Sequence, residues 1–184
     1  MAARAGDDNV VFLDALRGLH RGDFSRLEPL FDGGSDPAGD RPLITQWHEQ
    51  GRFRDEPQAL AEALTCACLL GRTAVADYLL TQGVDPSAGA GTGLDALHWA
   101  ANRGQLEAVR LLIERGAPLE TRSMHGGTAL GTAVWSAINE PRPDHVQIIA
   151  ELIDAGARLQ DVEYPTGHEH IDAVLRRDDP REGD

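Results

Sequence analysis

Four local arrangements in the sequence carry residue types that could do chemistry. Asp95 and His98 stand three apart, a spacing that puts both on one helix face, where a carboxylate can orient an imidazole for proton transfer. His168-Glu169-His170 offers metal-ligand types, but residues i and i+2 of a helix point apart and no third ligand cluster accompanies them. The triplet therefore reads as a solvated helix start. Gly89-Ala90-Gly91-Thr92-Gly93 has the glycine content of a phosphate cradle without the preceding strand, the lysine or the Ser/Thr of a P-loop, and reads as a long flexible hairpin. Cys66 and Cys68 are too close for a fold-closing disulfide and lack the paired spacing of a zinc site, so they read as buried free thiols in a reducing compartment. All 17 basic residues are arginine, which excludes Schiff-base chemistry and a lysine general base. No nucleophile–base–orienter set and no metal set can be assembled, so the expectation is no catalytic residue, no metal and no cofactor.

The elements that must position these residues belong to one domain. At 184 residues and 41% apolar, the chain can bury a core without staples. Its net charge of −13 argues against a phosphate-gripping face, hence against nucleic acid, and favours a basic partner. MAARAGDDNV has no apolar h-region and no stretch approaches the ~18 apolar residues of a membrane span, so the expectation is a cytoplasmic protein without a membrane partner.

Internal repetition decides the architecture. Residues 63–87 align without a gap on residues 96–120 at an offset of 33, with Ala63/Ala96, Leu64/Leu97, Gly71/Gly104, Leu79/Leu112 and Gly83/Gly116 coinciding. A third copy begins at Ala129-Leu130 and resumes after Asp144 at a shift of 40, so seven residues are inserted around Ile138 to Asp144. A degenerate copy lies upstream at an offset of 49, which implies a 16-residue insertion between about Ala38 and Gln58. Within it LITQWHEQGRF is expected to form one short helix bounded by Pro42 and Pro57. The resulting division is a flexible N-terminus over 1–9, a degenerate repeat over 10–38, the insertion over 39–58, and repeats over 59–89, 90–122 and 123–161. A closing half-repeat over 162–177 and an acidic flexible tail over 178–184 complete it.

Each unit reads as two helices and an extended loop. ALHWAAN is short and rich in small residues, so neighbouring helices can approach it, and Gly104 ends it with a left-handed cap. LEAVRLLIERG sets Leu106, Val109, Leu112 and Ile113 on one stripe and ends at Gly116; APLETRSMHGG then leaves the helices as a loop or hairpin. A helix pair of this size cannot bury its stripe alone and must stack on its copies.

Asp95-Ala96-Leu97-His98-Trp99-Ala100-Ala101, continuing through Gly104, Glu107, Val109, Leu111-Leu112 and Gly116-Ala117, resembles the ankyrin-repeat signature T-P-L-H-x-A-A-x-x-G-x-x-E-x-V-x-L-L-L-x-x-G-A. The resemblance runs from about Val10 to Arg177. It implies an all-α solenoid of about four stacked helix-turn-helix repeats with protruding loops. The chain departs from the signature where the capping threonine is Glu62 or Asp95, kept only as Thr128, and where the motif histidine survives only as His98. In such repeats the position of Asp95 caps the helix and that of His98 links adjacent loops, a role that competes with the acid–base one.

The resemblance also implies a concave surface of first helices and loops that holds a macromolecular partner. Its usual contact positions fall on Gly89, Gly91, Thr92 and Leu94, on Asn102 and Arg103, on Arg122, Met124 and His125, and on Trp135 and Ser136, with Asp95, His98 and Trp99 on the same helix. Trp135 stands in the slot of Asn102, and beside Met124, His125 and Arg122 it has hot-spot composition, unless it folds against the seven-residue insertion. Trp99 is either a floor for a ligand or packing between repeats. The leading expectation is a non-catalytic protein-binding module. The rivals are a small enzyme or ligand-binding protein using His98, His125 and Asp95 around Trp99 and Trp135, and an inhibitor or immunity protein for a basic partner. An enclosed pocket of ~300 Å3 or more with a histidine at its base would favour the enzyme. Residues 90–122 carry no net charge while 162–184 carry −4, so the acid lies toward the C-terminal end of the stack.

Overall fold

The computed structural model describes residues 2–33, 41–89, 91 and 93–176. Ten α-helices and no strand occur among these residues: α1 (Ala2–Arg21), α2 (Glu28–Phe31), α3 (Leu43–Glu49), α4 (Pro57–Leu69), α5 (Thr73–Thr81), α6 (Ala96–Arg103), α7 (Leu106–Glu114), α8 (Ala129–Asn139), α9 (His145–Asp154) and α10 (Glu169–Leu175). The pairs α4/α5, α6/α7 and α8/α9 are the three clear repeats. The first helices α4, α6 and α8 stack on one another, and α5, α7 and α9 form the second layer.

Small residues permit that stacking. Ala59, Ala63 and Ala67 on α4, Ala96 and Ala100 on α6, and Ala129 and Ala133 on α8 are all buried, so adjacent backbones come close. The second helices supply bulk through Leu79, Val109, Leu112, Ile148, Ile149 and Leu152. Leu106 and Ile113, expected in the buried stripe, pack only partly buried at its edges. Gly104 takes the left-handed cap at φ +68°, and Gly116 takes φ +76° directly after Arg115 ends α7. The loop after α7 makes no strand; it turns tightly, with Gly126 N–H donating to Ser123 O and Ser123 N–H to Gly127 O.

Arginines join successive units on the outer layer. Arg72 meets Glu28 and Asp32, Arg115 meets Asp77, and Arg110 meets Glu107 and Glu151. Each such surface pair is worth at most about 1 kcal/mol, so they fix register more than they stabilise.

The N-terminal end is built from α1 and the insertion. Helix α1 begins at Ala2, inside the stretch expected to be flexible, and Asp8 accepts hydrogen bonds from Trp47 Nε1 (3.1 Å) and Arg52 Nη1 (2.6 Å). The insertion forms the single short helix foreseen, α3, but it is a brace: Ile44 and Trp47 are fully buried, and Phe12 meets Trp47 and Phe53 edge-on at 5.1 and 5.3 Å. Pro57 opens α4 at a helix start, where its missing N–H costs nothing, and makes that helix longer than its copies. At the other end Ile171 and Leu175 of α10 are buried against the stack. The acidic tail over 178–184 and the first residues of the insertion, 39 and 40, lie outside the described residues.

Candidate binding groove

Three cavities follow one another along the first-helix side. The first, about 310 Å3, lies between the α1–α2 connection and α6 and is lined by Asp23, Glu28, Leu69, Trp99 and Arg103 among others. The central one, about 640 Å3, lies between α6 and α8 under the 119–127 loop, with Leu94, Trp99, Asn102, Arg103, His125, Trp135 and Glu140 in its walls. The third, about 330 Å3, runs from Trp135 and Ile138 to Glu163 and Pro165. Trp99 and Arg103 are shared by the first two cavities, Gly131 and Trp135 by the last two, so the three form one groove partitioned by two tryptophans.

The structure therefore places Leu94, Trp99, Asn102, Arg103, His125 and Trp135 on one surface. Trp135 is 54% exposed and Met124 72%. Trp99 is half-buried, with the Arg103 guanidinium 5.7 Å from its ring centroid and an indole N–H that has no partner among the described residues. Arg122 Nη1 donates to the Gly126 carbonyl and shapes the loop rim, while Met124 N–H donates to Gly93 O and ties that loop to its predecessor.

Other expected contact residues are inside. Ser136 is fully buried, its Oγ accepting from Asn102 Nδ2 at 2.9 Å, because position 136 of α8 faces the neighbouring first helix. Asp95 and His98 are also buried. Asp95 caps α6 by accepting from the His98 N–H, and its carboxylate lies 2.7 Å from His98 Nδ1, while His98 Nε2 lies 3.1 Å from Gly127 O. Burial alone would pull the imidazole pKa down. The Asp95 carboxylate and the Gly127 carbonyl outweigh it and hold the pKa above 6.5. Both ring nitrogens face acceptors within the protein, so the pair joins two loops rather than meeting a substrate in the cleft. Thr92 lies outside the described residues.

The glycine-rich segment is anchored. Gly89 is buried against Ala61 and Thr65 of α4, and Gly91 N–H donates to Glu62 Oε1 at 2.9 Å. Glu62, in the register slot of the capping threonine, does not cap, because α4 began five residues earlier. Its Oε2 has no partner among the described residues, and burial pushes its carboxyl up to about 7 against the Gly91 and Gln58 hydrogen bonds.

Sequence reasoning passed over His145. Its Nδ1 accepts from Arg142 N–H and its Nε2 donates to Asn102 O, both at 3.1 Å, which fixes the neutral tautomer and fastens the inserted 139–144 loop. At the shift of 40 it aligns with Gln105, whose Nε2 donates to Leu69 O at 3.3 Å. Leu69 in turn aligns with Asn102 at the offset of 33. Each side chain thus reaches back to the same carbonyl position of the preceding first helix, a signal present in the register.

Among the described residues no group of three His, Cys, Asp or Glu could hold a metal, and His168-Glu169-His170 lies at the start of α10 with Glu169 and His170 exposed. Cys66 and Cys68 are buried free thiols; desolvation pushes both up, Cys68 to about 12, so neither is a nucleophile near neutral pH.

Stacked helix pairs with a groove on their first-helix side define a helical repeat solenoid. A family model for ankyrin repeats, in three copies, matches residues 64–162, more than half of the chain. The chain belongs to the ankyrin repeat family, whose repeats are generally protein–protein interaction modules. Comparison with curated proteins gives no match.

Proposed function

We propose that the protein is a non-catalytic module that holds a partner protein in this groove. The observation that supports it most is the exposure of Trp135 in the wall of the 640 Å3 cavity, with Met124, also exposed, in sequence between two of the lining residues, Ser123 and His125. Large apolar side chains left in water beside an arginine have the composition of interface anchors, which gain their burial only in a complex. The walls of that cavity include His125 but not His98, so the histidine–aspartate pair weighed for an enzyme does not reach it. The two buried free thiols support a reducing compartment, hence a cytoplasmic location.

Affinity purification from the native host, followed by mass spectrometry, tests the reading when wild type and Trp135→Ala are run side by side. The partner should be depleted on the variant, while Tm moves by no more than about 2 °C because the side chain is half in water. Retention of every partner by Trp135→Ala would remove the groove from the account, and a large fall in Tm would assign Trp135 to packing. A second reading, a small-molecule site, is favoured by the central volume, which falls in the range such ligands occupy. Native mass spectrometry of the purified protein would then show a stoichiometric added mass.

A further inference from the structure

Each of the three cavities pairs a tryptophan wall with a carboxylate. Trp99 and Asp23 line the first, Trp135 and Glu140 the central one, Trp135 and Glu163 the third. Asp23 is kept ionised by the Ser25 hydroxyl, which donates to it at 2.6 Å. Glu140 and Glu163 are exposed and make no ion pair among the described residues. Glu28, also in the first cavity, is already engaged by Arg72. Among the described lining residues Arg103 is the one arginine, and it lies over the Trp99 ring, the arrangement an incoming cation would take on Trp135.

An aromatic face beside a carboxylate is the chemistry that recognises an ammonium or guanidinium group: the ring quadrupole attracts the cation and the carboxylate pairs with it. The chain as a whole carries −13, so its long-range field favours approach of a basic ligand to the molecule over that of an acidic one. Spacing adds a constraint. The central and third cavities lie on the two sides of the first helix α8 and share Gly131 and Trp135, so their separation is of the order of the helix-packing distance, about 8–10 Å. A polyproline-type extended chain advances about 3.1 Å per residue with three residues per turn, so every third side chain returns to one face after about 9 Å.

We propose that the groove receives an extended basic segment of the partner, with arginine or lysine side chains about three positions apart seated in the central and third cavities against Trp135 and paired with Glu140 and Glu163. The proposal rests on the reading that the groove binds a protein, and it narrows that reading to one partner chemistry.

The test uses the full chain and two synthetic peptides that alternate proline and alanine between every third residue, which is arginine in one and glutamate in the other. Binding is followed by tryptophan fluorescence and by calorimetry. The arginine peptide should bind, with affinity falling as salt rises, and the glutamate peptide should not. Glu140→Gln/Glu163→Gln should weaken the arginine peptide roughly tenfold, the factor that two partly desolvated ion pairs together supply. Glu114→Gln/Asp154→Asn, which removes two charges from the exposed ends of α7 and α9, should change it less than about twofold if the groove rather than net charge is responsible. Equal losses in the two double variants would reduce the effect to net charge and overturn the proposal. So would preference for the glutamate peptide, or failure of the arginine peptide to bind. In those cases a native partner still lost from Trp135→Ala would leave the groove itself standing and only its basic preference refuted.

Discussion

Two buried histidines do opposite things with pH, and the difference is visible in their partners. His98 sits between two acceptors, which favours its charged form; His145 accepts a backbone N–H at Nδ1, and burial with the Arg142 charge nearby holds its pKa below 6.5. A raised folded pKa means that the His98 contribution is complete below pH 6.5 and is lost as pH rises through the folded value. A lowered one means that the His145 contribution is present above pH 6.5 and is lost as pH falls toward the folded value. His98→Ala should cost about 2–4 kcal/mol by loss of a buried two-sided link, and denaturant melts should show a larger cost near pH 5.5 than near pH 8, with the order reversed for His145→Ala. Glu62 gives the complementary case. Its carboxyl is raised from 4.5 to about 7, so keeping it charged in the fold opposes stability above that range, and Glu62→Gln should gain about 1–3 kcal/mol near pH 8 with no gain near pH 4.5. The cap and the loop link at Asp95 and His98 were legible in the sequence because they fall on positions of the ankyrin signature, although the histidine is not repeated within the chain. The burial of Ser136 was not, since one residue along a helix decides between groove and interior, and the burial of Glu62 was hidden by the extra turns that Pro57 adds to α4.

At the scale of elements, glycines with equal backbone requirements differ in what surrounds them. Gly104 and Gly116 both hold positive φ, but a Cβ at 104 would lie 3.1 Å from Arg142 Cβ, whereas nothing stands within 4 Å of one at 116. Gly116→Ala should therefore cost about 1 kcal/mol, the conformational term, and Gly104→Ala about 1–2 kcal/mol more, since the inserted loop must move as well; thermal melts of the two variants measure the difference. The 39–58 insertion was readable as one short helix between prolines. Its bracing role was not, because the aromatic it is packed against from outside the insertion, Phe12, is distant in the chain and has no periodic relation to Trp47. Trp47→Ala should cost about 3–5 kcal/mol and loosen α1 first, visible as faster amide exchange over residues 8–21 than over α8 and α9.

The whole molecule is legible where it repeats and obscure where it does not. A 33-residue period, glycine helix ends and alanine-rich first helices specify a stack of helix pairs, and such a stack necessarily has a first-helix face and a second-helix face. Which residues line the groove depends on how loops lean over first helices, and that leaning is set by bonds such as Met124 to Gly93 and Arg122 to Gly126 that no period announces. The charge also takes a place in three dimensions: the central repeat is neutral, yet carboxylates from an upstream connection, an inserted loop and the C-terminal segment converge on one groove. Amide hydrogen exchange on the complex with the captured partner tests the central claim most directly. Slowed exchange over residues 121–127 and the exposed ends of α6 and α8, with α5, α7 and α9 unchanged, is the predicted footprint. Protection confined to α5, α7 and α9 would place the partner on the opposite face and contradict it.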